Sequence, residues 1–160
     1  MYEVNQYLEV FIEGSKEHLQ TCSEQLLVLE KHPEDLSIVN EIFRSAHTLK
    51  GMSATMGYED LANLTHKMEN VLDAIRNSHI ALSPELFDVT FLAVDDLEAM
   101  VMSIAEGGDG KRNVKDVVHR LEMIEKRESP FSSTIAEIAA ASAVLEKKEM
   151  IAGGLSFNSG

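Results

Sequence analysis

Tryptophan is absent from this chain, proline occurs three times, cysteine once, and aromatic side chains make up only 6% of the residues. Each shortage excludes something. A lone cysteine, Cys22, rules out an intrachain disulfide and a thiolate metal cluster. Few aromatics argue against a sheet, whose pleated surfaces favour aromatic and β-branched side chains. Basic charge is scarce too, with 14 Lys and Arg against 27 Asp and Glu and a net charge of -13. The densest basic run, Lys111, Arg112 and Lys115, is interleaved with Asp109 and Asp116. Such a chain repels phosphate backbones and anionic lipid, which excludes nucleic acid as a partner. No apolar run reaches the roughly 18 to 20 residues that cross a bilayer. Glu3 and Glu9 stand where a signal peptide carries Lys or Arg. The expectation is a cytoplasmic protein with no membrane insertion.

What is there suits helices. The 160 residues are 44% hydrophobic and 26% charged, with eight Met, enough for one domain with a real core. Val4, Leu8, Phe11, Ser15, Leu19, Cys22, Leu26 and Leu29 recur at spacings of three and four, a stripe that predicts one long amphipathic helix ending near His32-Pro33. A second helix is predicted from Asp35 to about Met56, with Leu36, Val39, Ile42, Phe43, Ala46 and Leu49 on its apolar side and Gly57 as its left-handed stop. A third runs from about Glu59 through Leu61, Leu64, Met68, Leu72 and Ile75 to Asn77-Ser78. Ser83-Pro84-Glu85 opens the fourth, because serine accepts from an orphan amide, proline fits the first turn and Glu favours the positive end of the dipole. It ends at Gly107-Gly108. A fifth spans about Val114 to Ile124, with Asn113 as its cap. Short loops between five helices predict an all-α, antiparallel bundle with a four-helix core. The domain is assigned to residues 1–127, and 128–160 to a linker tail with a possible helix at about 134–150 and a frayed end.

Chemistry concentrates on the second helix. Asn40, Arg44, His47 and Gly51 fall on a strip outside the apolar stripe, which puts His47 on the solvent side. Lys50 lies within reach of whatever His47 carries. A glycine inside a helix costs roughly 0.5 to 1 kcal/mol relative to alanine, so Gly51 needs a reason: close approach of a neighbouring helix, or room for a partner. Met52 and Met56 flank the strip and offer an adaptable contact surface. His66 and Glu69 occupy the flank of the third helix. If that helix packs antiparallel on the second, Glu69 comes close to His47. A carboxylate that accepts from Nδ1–H fixes the tautomer and leaves the Nε2 lone pair free. Neutral imidazole is a nucleophile, and Lys50 would neutralise phosphoryl oxygens. Metal binding is not expected, since a di-metal bundle needs several inward carboxylates and here the core positions are apolar. No phosphate-binding loop or Ser-His-Asp arrangement is present, so the chain by itself is expected to bind no ATP and no other cofactor.

The run Ile42-Phe43-Arg44-Ser45-Ala46-His47-Thr48-Leu49-Lys50-Gly51-Met52-Ser53-Ala54-Thr55-Met56-Gly57 closely resembles the phosphorylation helix of histidine phosphotransfer domains, those of CheA-type chemotaxis kinases above all. Leu61 to Arg76 resembles the next helix, and the likeness extends over roughly Val4 to Arg127. The resemblance implies a two-component signalling carrier. His47 would be phosphorylated by a separate kinase domain that uses ATP with Mg, and would pass the phosphoryl group to an aspartate of a response-regulator receiver. Glu69 would then orient the imidazole, with Lys50 and His66 around the phosphohistidine and Arg44, Gly51 and Met52 meeting partners. The competing functions are an adaptor bundle that is never phosphorylated and a stand-alone phosphorelay protein.

Overall fold

Pro33 and Gly57 divide the first half of the chain as their chemistry dictates. Helix α1 (Tyr2–Lys31) stops two residues before the proline, and α2 (Leu36–Met56) ends on the glycine, whose φ of +84° is left-handed. Asp35 caps α2, its carboxylate accepting from the Ser37 amide at 3.0 Å. Three helices follow, α3 (Glu59–Arg76), α4 (Pro84–Ala105) and α5 (Lys115–Lys126). Ser83 Oγ accepts from the Leu86 amide at 3.1 Å and opens α4. The computed structural model describes residues 2–127, with side chains from residue 6 onward. The predicted tail, its possible helix at about 134–150 included, lies outside the described residues.

Apolar stripes from α1 to α4 meet in one core. Leu19, Leu26, Ile42, Leu49, Leu64, Met68, Leu97 and Met100 are all at most 1% exposed, and each such side chain contributes about 1.5 to 3 kcal/mol through burial. Helix α1 packs on α2 and α4, α2 on α3, and α3 on α4. A Cβ at Gly14 of α1 would stand 2.9 Å from Met52 Cε of α2, the far end of a flexible side chain that can swing aside. Further along the same seam Phe11 stacks on Tyr58, ring centroids 5.3 Å apart. Cys22 is fully buried, and burial pushes its thiol up to about 12. Three buried hydroxyls return to their own helices, Ser53, Thr65 and Thr90 each donating to the carbonyl four residues earlier.

Helix α5 covers the groove between α3 and α4. Arg112 pairs with Asp96 at 2.7 Å and Arg127 with Glu85 at 2.8 Å, so α5 runs antiparallel to α4. Lys67 pairs with Glu122 at 2.8 Å and ties α3 to α5. Two local expectations shift. Val114, not Asn113, occupies the N-cap of α5, although Asn113 Oδ1 still accepts from the Lys115 amide at 3.3 Å. Leu36, expected on the apolar stripe, is the first residue of α2 and is 48% exposed.

Candidate functional site

One flank of α2 carries Phe43, His47 and Lys50 at i, i+4 and i+7, beside the core stripe of Ile42, Ala46 and Leu49. Helix α3 opposes it with Glu69, Asp73 and Arg76, again at i, i+4 and i+7. The seam is antiparallel, since Lys50 and His47 meet Glu69 while Phe43 meets Arg76. Both strips follow from helical periodicity: apolar neighbours draw the two helices together, and the flanking polar positions come face to face at the edge of the core.

Glu69 is the centre of the arrangement. Its side chain is 8% exposed, His47 hydrogen bonds through Nδ1 to Oε2, and Lys50 Nζ donates to Oε1 at 2.6 Å. Burial pushes this carboxyl up, but hydrogen bonds from Lys50 and His47 outweigh it, and the net effect holds Glu69 below its ordinary value. An ionised carboxylate can only accept, so the proton between the two groups sits on Nδ1 of His47 and the lone pair is on Nε2. The imidazole is 61% exposed. Its Nδ1 is engaged by Glu69, its Nε2 is not, and Lys50 brings an ammonium group to the same carboxylate.

Sequence reasoning placed Glu69 and His66 alike on the flank of α3, and the structure separates them. Glu69 is buried and His66 exposed, on the rim of a shallow depression that it shares with Lys50, Gly51 and Ala54. Both carboxylate oxygens of Glu69 are taken by His47 and Lys50, which leaves His66 at the periphery. Arg44 is exposed on the strip. Gly51 is exposed as well, and a Cβ added there would meet nothing within 4 Å. Close helix packing therefore does not explain Gly51. Met52 is half-buried and lines an apolar depression with Tyr7, Val10 and Thr48. Tyr7 and Val10 are 65% and 70% exposed, and α1 thus contributes to the surface next to His47. Sequence reasoning also missed the surroundings of the imidazole plane. Phe43 stacks on His47, with centroids 5.9 Å apart and planes 9° from parallel, and Arg76 lies 3.7 Å over the Phe43 ring. The signal was present, because Phe43 precedes His47 by one helical turn. Among the described residues no group of three or more His, Cys, Asp or Glu is placed to hold a metal ion, and no helix is long and apolar enough to cross a membrane.

An exposed histidine held at Nδ1 by a buried carboxylate, with a lysine alongside, on a bundle of antiparallel helices, defines a class: the histidine phosphotransfer domains. The Hpt domain family model matches residues 6–107, and the chain belongs to that family. Over 121 residues the chain is 61% identical to the chemotaxis protein CheA of Bacillus subtilis (strain 168), a match covering 76% of this chain and 18% of the relative. It spans about a fifth of the length of the curated relatives it matches. Among solved structures, the CheA phosphotransferase domain from Thermotoga maritima aligns with a TM-score of 0.61 at 48% identity, over 62% of this chain and 95% of that one. The phosphorylated P1 domain of CheA3, solved in complex with CheY6 from R. sphaeroides, shares the fold with a TM-score of 0.69 at 20% identity, over 78% of this chain and 98% of that one.

Proposed function

We propose that this chain is the phosphoryl carrier of a chemotaxis kinase. His47 Nε2 attacks the γ-phosphorus of ATP held, with Mg, in a CheA-type kinase domain; the N–P bond forms as the bond to the ADP oxygen breaks. An aspartate of a receiver domain then takes the phosphoryl group, an acyl phosphate forming as the N–P bond breaks and the electron pair returns to Nε2. The observation that carries this reading is the contact between Nδ1 of His47 and the buried Glu69 carboxylate, which leaves Nε2 exposed.

Each neighbour has a role in that sequence. Glu69 keeps the Nδ1 proton and stabilises the positive charge that develops on the ring. Lys50 offsets charge on the phosphoryl oxygens, and His66 supports the rim. Arg44, Met52 and the open space above Gly51 form the surface a partner covers. A carrier has to release each partner quickly, which favours interfaces under about 1,200 Å². Residues 1–127 constitute the carrier unit and 128–160 the link onward, in the cytoplasm, where ATP and response regulators are available.

The test is to mix the protein with ATP and a cognate CheA-type kinase core lacking its own phosphotransfer domain. Acid-labile, base-stable phosphate is expected on the wild type and none on His47→Gln. An adaptor would take up no phosphate and would keep its partner binding in His47→Gln, and that outcome overturns the proposal.

A further inference from the structure

A single hydrogen bond does not fix an imidazole. The ring can still pivot about the line from Nδ1 to the carboxylate oxygen, and Nε2 would then sweep an arc over the α2–α3 seam. The face of the His47 ring is limited by Phe43, whose ring lies within 9° of parallel to it. Phe43 is half-buried beside the core, and its ring is covered in turn by the Arg76 guanidinium at 3.7 Å. Arg76 is anchored by Asp73, Nε to Oδ1 at 2.9 Å. Four side chains thus form a relay, from Asp73 to Arg76 to Phe43 to His47, along the same seam that carries Glu69 and Lys50.

We propose that Phe43 and Arg76 are positioning residues for phosphoryl transfer, fixing the plane of the His47 imidazole so that Nε2 points along one line of attack. This rests on His47 being the phosphorylated residue. Several features favour it over ordinary packing. Arg76 and Asp73 have side chains 36% and 46% exposed, so their pairing adds little to the fold. A planar guanidinium over an aromatic face is attractive, and it restricts the Phe43 ring to the orientation that stacks on the imidazole. Near-attack alignment is sensitive to small rotations, so the loss of a plane-setting contact falls on kcat and leaves KM largely unchanged.

Phosphoramidate, a small phosphoryl donor, tests this without any protein partner. The Nε2 lone pair forms the N–P bond as the donor's P–N bond breaks, and ammonia departs with the protons its nitrogen already carries. The rate of phosphohistidine formation is measured for wild type, Phe43→Leu, Arg76→Gln and Phe43→Tyr, with helicity and melting temperature as fold controls. Phe43→Leu should lower kcat about five- to tenfold with KM unchanged, and Arg76→Gln about two- to fivefold. Phe43→Tyr, which keeps the ring, should restore the wild-type rate. In parallel, ¹⁵N relaxation of the imidazole should report a less ordered His47 ring in Phe43→Leu. Wild-type kcat and wild-type ring order in a folded Phe43→Leu would overturn the proposal while leaving the carrier role intact. Phosphate on the wild type at a residue other than His47 would overturn both.

Discussion

Glu69 carries two loads, because a carboxylate buried at the edge of an apolar core is costly unless it is paired, and here both pairing partners belong to the proposed reactive site. Replacing it with alanine removes the group that fixes the imidazole tautomer. Glu69→Ala is expected to slow phosphorylation of His47 by about 10- to 100-fold, the usual cost of losing a histidine's orienting carboxylate, with the helical signal retained. An unchanged rate would show that the tautomer is set some other way. The same residue gives the site a pH dependence. Its folded value lies below the ordinary 4.5, so its contribution to stability is fully present above about pH 4.5 and is lost as pH falls through the depressed folded value. At this scale the sequence was partly legible. The pairing of His47 with Glu69 followed from two helical periodicities and an antiparallel packing. The burial of Glu69 did not, because a residue at a stripe edge is covered or exposed according to the tilt of its neighbours. The pairing of Lys50 with Glu69, in place of waiting for a phosphoryl group, was also hidden, since one buried carboxylate attracts both cations within reach.

Helix boundaries were the most legible elements, since their chemistry is local. Ser83 with Pro84 and Asp35 act as their side chains dictate, and Gly57, lacking a Cβ, takes the left-handed φ of +84°. Ser83 is the sharpest case: its hydroxyl satisfies the Leu86 amide at 3.1 Å. Ser83→Ala should cost about 1 kcal/mol and lower the melting temperature by roughly 4 °C, read from a thermal denaturation curve, with phosphorylation of the folded protein unaffected. A melting temperature equal to wild type would mean that water or Glu85 replaces the cap. The start of α5 was less legible, because Asn113 binds the Lys115 amide from one position before the cap. The pairing of Lys67 with Glu122 was hidden too, since no periodicity predicts which surface charges meet.

The whole molecule turns these parts outward. Helices α1 to α4 enclose the core, α5 closes the α3–α4 groove, and the α2–α3 seam with the adjoining surface of α1 is left for His47 and what approaches it. A net charge of -13 on 160 residues favours electrostatic steering over tight holding, which suits the proposed carrier role. The bundle was legible because apolar stripes of period 3.6 can be buried in few ways, whereas the order of helices around the core is fixed by contacts far apart in sequence. The central claim is that this architecture engages Nδ1 and presents Nε2. The most direct measurement is a long-range ¹H–³¹P and ¹H–¹⁵N correlation experiment on the phosphorylated protein, which identifies the nitrogen that bears the phosphoryl group. Phosphorus coupled to Nε2 of His47, with Nδ1 still protonated toward Glu69, is the predicted result; phosphorus on Nδ1, or on any other side chain, would contradict it.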